Sequence, residues 1–160
     1  MTMNMKGWAL LLLLLMPVLA MAEGPVLETS LPEDALLVEN VEFDDGDFIR
    51  TYQVPEGGTV QMLRYAAFDM TLDDLAEGEW TGYASKEALD LSTVDGWPAE
   101  GIHLMMDGED GTLNVCIVLV RVDEQTLIFQ TVLGVDGDPE QFQEWVNDLR
   151  VEQEESVING

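Results

Sequence analysis

Ten residues, Leu113 to Val122, constrain the fold of this chain more than any others. The run LNVCIVLVRV interrupts its apolar character only at Asn114 and at Arg121 near its end. A strand here buries both faces, with Val115, Ile117 and Leu119 on one and Cys116, Val118 and Val120 on the other. It therefore belongs in the middle of a sheet covered on both sides. The apolar stretch that begins at Ile102 and the run Thr126 to Leu133 read as its neighbours. Asp110-Gly111 suits the two central positions of a type I′ hairpin, where positive φ is required and glycine carries no Cβ penalty. Asp123-Glu124-Gln125 turns the chain back, so the three runs form an antiparallel meander.

A helix is expected directly after it. Asp138 offers an N-cap carboxylate, Pro139 stands at the first helical position, where its missing N–H is harmless, and Gln141 is placed to close a capping box. Phe142, Trp145, Val146 and Leu149 recur at i, i+3, i+4 and i+7, one apolar stripe directed at the sheet. A meander followed by a helix resembles the C-terminal part of several secreted α/β/α sandwich families, including the PsbP and Mog1-like group. That resemblance is one of fold and implies no activity.

Upstream, Asp47 to Val54 and Thr59 to Ala67 read as a second hairpin around Pro55-Glu56-Gly57-Gly58. Thr71-Leu72-Asp73-Asp74 has the character of a capping box, with Leu72, Leu75 and Ala76 at helical spacing and Gly78 as a stop. Ser85 to Leu89 reads as a further helical turn and Thr93 to Gly101 as loop. The expected class is α+β: a mostly antiparallel sheet, made of an N-terminal hairpin and a C-terminal three-strand meander, covered by a C-terminal amphipathic helix and one or two short helices.

The first 22 residues stand apart. Lys6, an apolar core, Pro17 and then Ala20-Met21-Ala22 form the charged, apolar and small-residue zones of a secretory signal peptide. The unbroken apolar run from Trp8 to Met16 is shorter than the ~18 residues that a spanning helix needs, so no stable membrane anchor is expected after cleavage. The expected organisation is a signal peptide at 1–22, an irregular arm at 23–42 that ends in a short edge strand, one domain at 43–151, and an acidic flexible tail at 152–160. The destination is the periplasm or the cell exterior. Cys116 is the only cysteine, so no internal disulfide forms there and stability must come from packing.

The chain has 6 Lys and Arg against 32 Asp and Glu, a formal charge of −26, which becomes −27 once the segment containing Lys6 is removed. Such a field repels phosphate backbones and excludes nucleic-acid binding by charge. It suits a solvated surface, a basic protein partner or divalent cations. Asp44-Asp45-Gly46-Asp47, Asp107-Gly108-Glu109-Asp110-Gly111 and Asp136-Gly137-Asp138 resemble fragments of calcium loops, but none completes the ligand pattern, and ordinary polar turns account for them.

Catalytic signatures fail by inventory. His103 is the only histidine, so His-rich or Cys-rich zinc sites cannot be assembled, and neither a phosphate-binding glycine loop nor a nucleophile elbow occurs. His103, Met105 and Cys116 form a soft-ligand set whose chemistry would suit monovalent copper. In one hairpin register Met105 lies opposite Cys116, in another His103 does, and in both the three share a face. The plainer reading makes Met105 and Cys116 core filler and His103 an edge residue with one hydrogen bond. Trp80, Tyr83 and Trp97 are aromatics among glycines, able to line a ligand groove or to cap the end of a core.

These residues describe an exported, non-catalytic binding or accessory module that needs no cofactor and whose partner is a basic protein or a small-molecule ligand. The competing readings are a carboxylate-based hydrolytic or redox enzyme, assembled around Trp80 to Gly101 beside a buried acid of raised pKa, and an acidic inhibitor of a cationic protein. Mass spectrometry of the exported protein should find Glu23 at its N-terminus; a species retaining Met1 in the membrane fraction would refute the signal-peptide reading.

Overall fold

A computed structural model describes residues 24–55, 58–66, 69–135, 137–138 and 140–154. The segment read as a signal peptide, and residues 155–160 of the tail read at 152–160, lie outside the described residues. Ten strands are present: β1 (Gly24–Glu28), β2 (Leu36–Glu42), β3 (Phe48–Val54), β4 (Gly58–Ala66), β5 (Ser85–Ala88), β6 (Thr93–Val94), β7 (Trp97–Gly108), β8 (Gly111–Val122), β9 (Gln125–Leu133) and β10 (Arg150–Glu154). Two helices, α1 (Leu72–Glu79) and α2 (Gln141–Asn147), complete the order among the described residues. One compact unit comprises Val26–Glu152; Gly24 and Pro25, with Gln153 and Glu154, belong to the other.

The main sheet has the strand order β2-β3-β4-β9-β8-β7-β5, with β6 paired to β7, and every pair in it is antiparallel. β1 and β10 form a separate two-stranded sheet. The expected hairpin is β3-β4 and the expected meander is β7-β8-β9. Strand β8 sits near the centre with both faces buried as its alternation requires. Cys116, Val118 and Val120 join a core with Phe129, Trp145 and Val146, whereas Val115, Ile117 and Leu119 join a second core with Leu72 and Ala76 of α1.

The expected class is overturned. Of the described residues 58% are in strands and 11% are helical, so the fold is mostly β, with one large antiparallel sheet and not an α+β fold covered by a C-terminal amphipathic helix. That helix is the clearest case. Glu140 is its N-cap and makes no side-chain cap hydrogen bond; seven residues later the helix ends, and Arg150 opens β10. The Asp138 carboxylate does accept from the Glu140 amide at 3.0 Å, so the sequence signal is a real turn with two helical turns behind it. Trp145, Val146 and Leu149 are nonetheless buried. Ser85 to Ala88 is likewise an edge strand on β7 and not a helical turn, because pairing with Ile102 to Met105 supplies backbone partners that local propensity does not reveal. Residues 23–42, read as an arm ending in an edge strand, hold both β1 and β2.

Two turns exchange roles. The β7-β8 ladder runs to Gly108 opposite Gly111, so Glu109-Asp110 is the turn and Gly111, at φ 140, lies in the strand. The type I′ signature appears instead at Asp95-Gly96, with φ 52 and 83, between the paired residues Val94 and Trp97. This segment, read as loop, is a small hairpin. Its Asp95 carboxylate accepts from the Val151 amide at 2.7 Å and so holds the start of β10.

Helix α1 follows its sequence signals closely. Thr71 accepts from the Asp74 amide and the Asp74 carboxylate accepts from the Thr71 amide, a complete capping box. The fold buries one residue that no local pattern marks. Arg64 is fully buried: its Nε and Nη2 donate to the Gly46 carbonyl at 3.2 and 2.8 Å, and its guanidinium lies 4.8 Å from the centre of the Phe48 ring. Trp145→Ala should destabilise the protein by ~3 kcal/mol or more, as expected for removing a large aromatic side chain from a core. A urea melt checks this, and a change under ~1 kcal/mol would mean that α2 does not anchor the chain.

Candidate functional site

The face of the sheet that carries α1 is only partly covered. Beside the helix, β4 and β9 leave a groove of about 390 Å³. Leu63, Tyr65, Met70, Leu75 and Ile128 make its walls apolar, and Gln61 and Gln130 bring amides to it. The amides belong to a row that register places side by side across four strands. Gln130 Nε2 donates to Gln61 Oε1 at 3.2 Å, Gln61 Nε2 donates to Thr51 Oγ1 at 3.2 Å, and Thr51 Oγ1 donates to Glu39 Oε1 at 2.8 Å. An apolar cavity of this size with a few fixed polar groups is the usual form of a small-ligand site.

Asp74 stands on the rim. The Thr71 backbone amide, followed by its hydroxyl, holds the Asp74 carboxyl below its ordinary value. It remains an anion, suited to repel acidic ligands and unsuited to donate a proton. Gly78, on the last turn of α1, has open space where a Cβ would project.

The candidate aromatics are divided by the sheet. Trp80 and Tyr83 pack on the core shared with α1, whereas Trp97 packs on the opposite core. Tyr83 donates to Glu77 Oε1 at 2.8 Å, a bond that raises the phenol pKa. Lys86 pairs with Asp73 at 2.6 Å, which raises the ammonium pKa, so the helix is tied to β5 from both residues. Glu87, Asp90, Asp95 and Glu100, the carboxylates between Trp80 and Gly101, are all exposed. The buried acid that the enzyme reading requires is not among them.

The soft-ligand set shares one face. His103 lies directly opposite Cys116, the second of the two registers considered, and Met105 lies opposite Asn114. His103 Nε2 donates to Asn114 Oδ1 at 2.8 Å. Cys116 is fully buried and burial pushes its thiol from 9.0 up to about 12, so a cuprous ion would have to displace a proton that the fold holds firmly. Among the described residues no group of three or more His, Cys, Asp or Glu is arranged to hold a metal ion. Asp45 and Asp47 serve the backbone instead, accepting from the amides of Asp47 and Ala66 at 3.1 and 2.8 Å.

The groove was not marked in the sequence. Its walls come from three separate stretches, and the one available clue was period two: Gln61, Leu63 and Tyr65 alternate with the buried Met62 and Arg64, which made them one face of a strand.

The fold and groove define a mostly β domain with one large antiparallel sheet, one face of which is partly covered. No family model matches the chain, and no curated protein matches it. Among solved structures it is similar to the crystal structure of LpqN, involved in cell envelope biogenesis of Mycobacterium tuberculosis. The two share 13% identity and a TM-score of 0.51 over 81% of this chain and 84% of the other. At that identity the likeness is one of fold.

The Cys116 thiol should resist neutral thiol reagents at pH 7 to 9 and react only at the rate of global unfolding. Because its folded pKa is raised, the unfolded chain ionises first, so stability should fall as pH climbs from about 9 toward about 12. Cys116→Ser should reduce that slope in alkaline urea melts. Rapid labelling of the folded protein would show an accessible thiol.

Proposed function

We propose that this protein is an exported, non-catalytic binding or accessory module of the periplasm or cell exterior, and that the groove between α1 and strands β4 and β9 holds its ligand. The observation that carries the reading is the groove itself, a cavity of about 390 Å³ with five apolar residues and two glutamine amides on its walls. The export half rests on the N-terminal segment and is supported by the likeness in fold to a cell-envelope protein. Among the described residues no helix is long and apolar enough to cross a membrane.

The groove's chemistry selects the ligand class. Its apolar walls favour a flat or elongated hydrocarbon body, Gln61 and Gln130 match carbonyl, amide or hydroxyl groups, and the Asp74 anion on the rim disfavours carboxylates and phosphates. A neutral amphiphile fits.

Gly78→Trp fills the groove from the helix side. Replacing an interior helix glycine with a better helix former favours α1 by up to ~1 kcal/mol, so the variant should fold at least as well as its parent. Fluorescence titration with the neutral apolar dye N-phenyl-1-naphthylamine should show binding to the parent and at least ~10-fold weaker binding to the variant, about 1.4 kcal/mol or more. Equal binding by the two proteins would place the dye elsewhere and remove the groove as the ligand site.

A further inference from the structure

Strand β2, LLVENVE, ends the sheet. Its inner edge pairs with β3 from Leu36 opposite Gln53 to Glu42 opposite Phe48, and among the described residues no strand pairs with its outer edge. All seven residues are exposed, and Leu36, Leu37 and Val38 retain 62, 51 and 57% of their surface. An open edge presents unpaired N–H and C=O groups, and proteins ordinarily blunt one with lysine, proline, a bulge or a cover. Here a register shift between Leu37 and Glu39 makes Val38 a bulge, but it leaves Val38 and the two leucines before it in water. Isolated surface aliphatics need no account; three in a row on an edge that no described residue covers do.

Charge selects the occupant. Glu33, Asp34, Glu39, Glu42, Asp44 and Asp45 are exposed along and beside the strand, and no lysine or arginine occurs between residues 23 and 49. A second copy of this chain is a poor match. Antiparallel pairing of two β2 strands centred on Glu39 sets Glu33 beside Asp45, Asp34 beside Asp44 and Glu39 beside Glu39, and a parallel in-register pair sets each acid beside itself. Like charges directly opposite on neighbouring strands are destabilising. An incoming strand that alternates lysine or arginine with aliphatic residues meets both features, the apolar triplet and the acids around it.

We infer that β2 is a docking edge that takes up an extended basic segment of another protein as an added strand. The edge lies two strands from the α1 groove and is joined to it only through the Glu39–Thr51–Gln61 hydrogen bonds; the inference does not depend on a ligand in the groove. The backbone supplies affinity through the free ladder, and the alternating side chains supply register. The −27 field of the exported chain draws the segment in and keeps other copies of this protein away.

The test uses the exported protein and three ten-residue peptides: alternating lysine and valine, alternating glutamate and valine, and alternating lysine and proline. The lysine–valine peptide should bind, slow amide hydrogen exchange within Leu36–Glu42, and weaken roughly 10-fold or more as salt shortens the Debye length from ~30 Å at 0.01 M to ~8 Å at 0.15 M. The glutamate–valine peptide should fail for want of charge. The lysine–proline peptide has the same charge but few backbone donors, and should bind at least ~10-fold more weakly. Glu39→Lys with Glu42→Lys should abolish binding, while Glu109→Lys with Glu124→Lys, an equal change of net charge on two distant turns, should leave most of it. Equal binding of the two basic peptides, equal loss in the two charge-reversed proteins, or protection outside β2 would each reduce the effect to general electrostatics and overturn the inference. So would no binding at all, or self-association of the protein with protection of β2 at low salt.

Discussion

The pairing of β4 with β9 holds the main sheet together. Eight cross-strand pairs, from Thr59 opposite Val132 to Ala66 opposite Gln125, join the β3-β4 hairpin to the last strand of the meander, a partner at least 59 residues away in sequence. Neither half has a complete core alone. Val60 and Met62 from β4 meet Leu127 and Phe129 from β9 in one apolar cluster, and Thr131 Oγ1 donates to the Thr59 carbonyl at 2.8 Å across the same seam. On the other face the seam sets Gln61 beside Gln130, and with them the amides of the groove. Removing this pairing would take away the site as well as the sheet.

The parts of this arrangement legible in the sequence are those governed by local periodicity. Strand β8 could be read with the correct residues on each face because Val115 to Val120 is apolar throughout and successive strand residues point to opposite faces. Helix α1 was legible because Thr71 and Asp74 satisfy each other within one turn. Where the outcome depended on distant partners, local signals misled. Ser85 to Ala88 has no strand character of its own and becomes one by lying along β7. The capping signals at Asp138 foretold a helix, but not that Arg150 would leave it for β10. Asp110-Gly111 and Asp95-Gly96 are the same dipeptide. The β7-β8 register puts Glu109-Asp110 in the turn and His103 across from Cys116, while the pairing of β6 with β7 gives Asp95-Gly96 the positive φ values of a type I′ turn.

The candidate residues divide for the same reason. Trp80, Tyr83 and Trp97 are close in sequence, yet the sheet passes between the first two and the third, so nearness in the chain did not become nearness in space. Arg64 is the converse. Nothing around it in the sequence marks a buried cation, but its position opposite Phe48 and its reach to the Gly46 carbonyl make it the pin of the turn before β3. Strands β3, β4, β8 and β9 carry no Asp or Glu, which explains how a chain of −26 formal charge sustains two dense cores: the acids lie in the turns, the helices and the outer strands.

The order in which such a chain can be completed follows from where its first and last described strands meet. Thr29 Oγ1 donates to the Trp145 carbonyl at 2.5 Å, and Arg150 forms an ion pair with Glu28 at 3.4 Å, contacts that span 116 and 122 residues. A chain emerging from its N-terminus presents these first residues long before their partners exist, and closing so long a loop must precede any gain from the contact. The meander and the hairpins can form from neighbouring residues as they appear, but the N-terminal strand has to wait for the last. Until β10 is made, β1 lacks the strand it pairs with, and the fold is locked only when that last strand arrives.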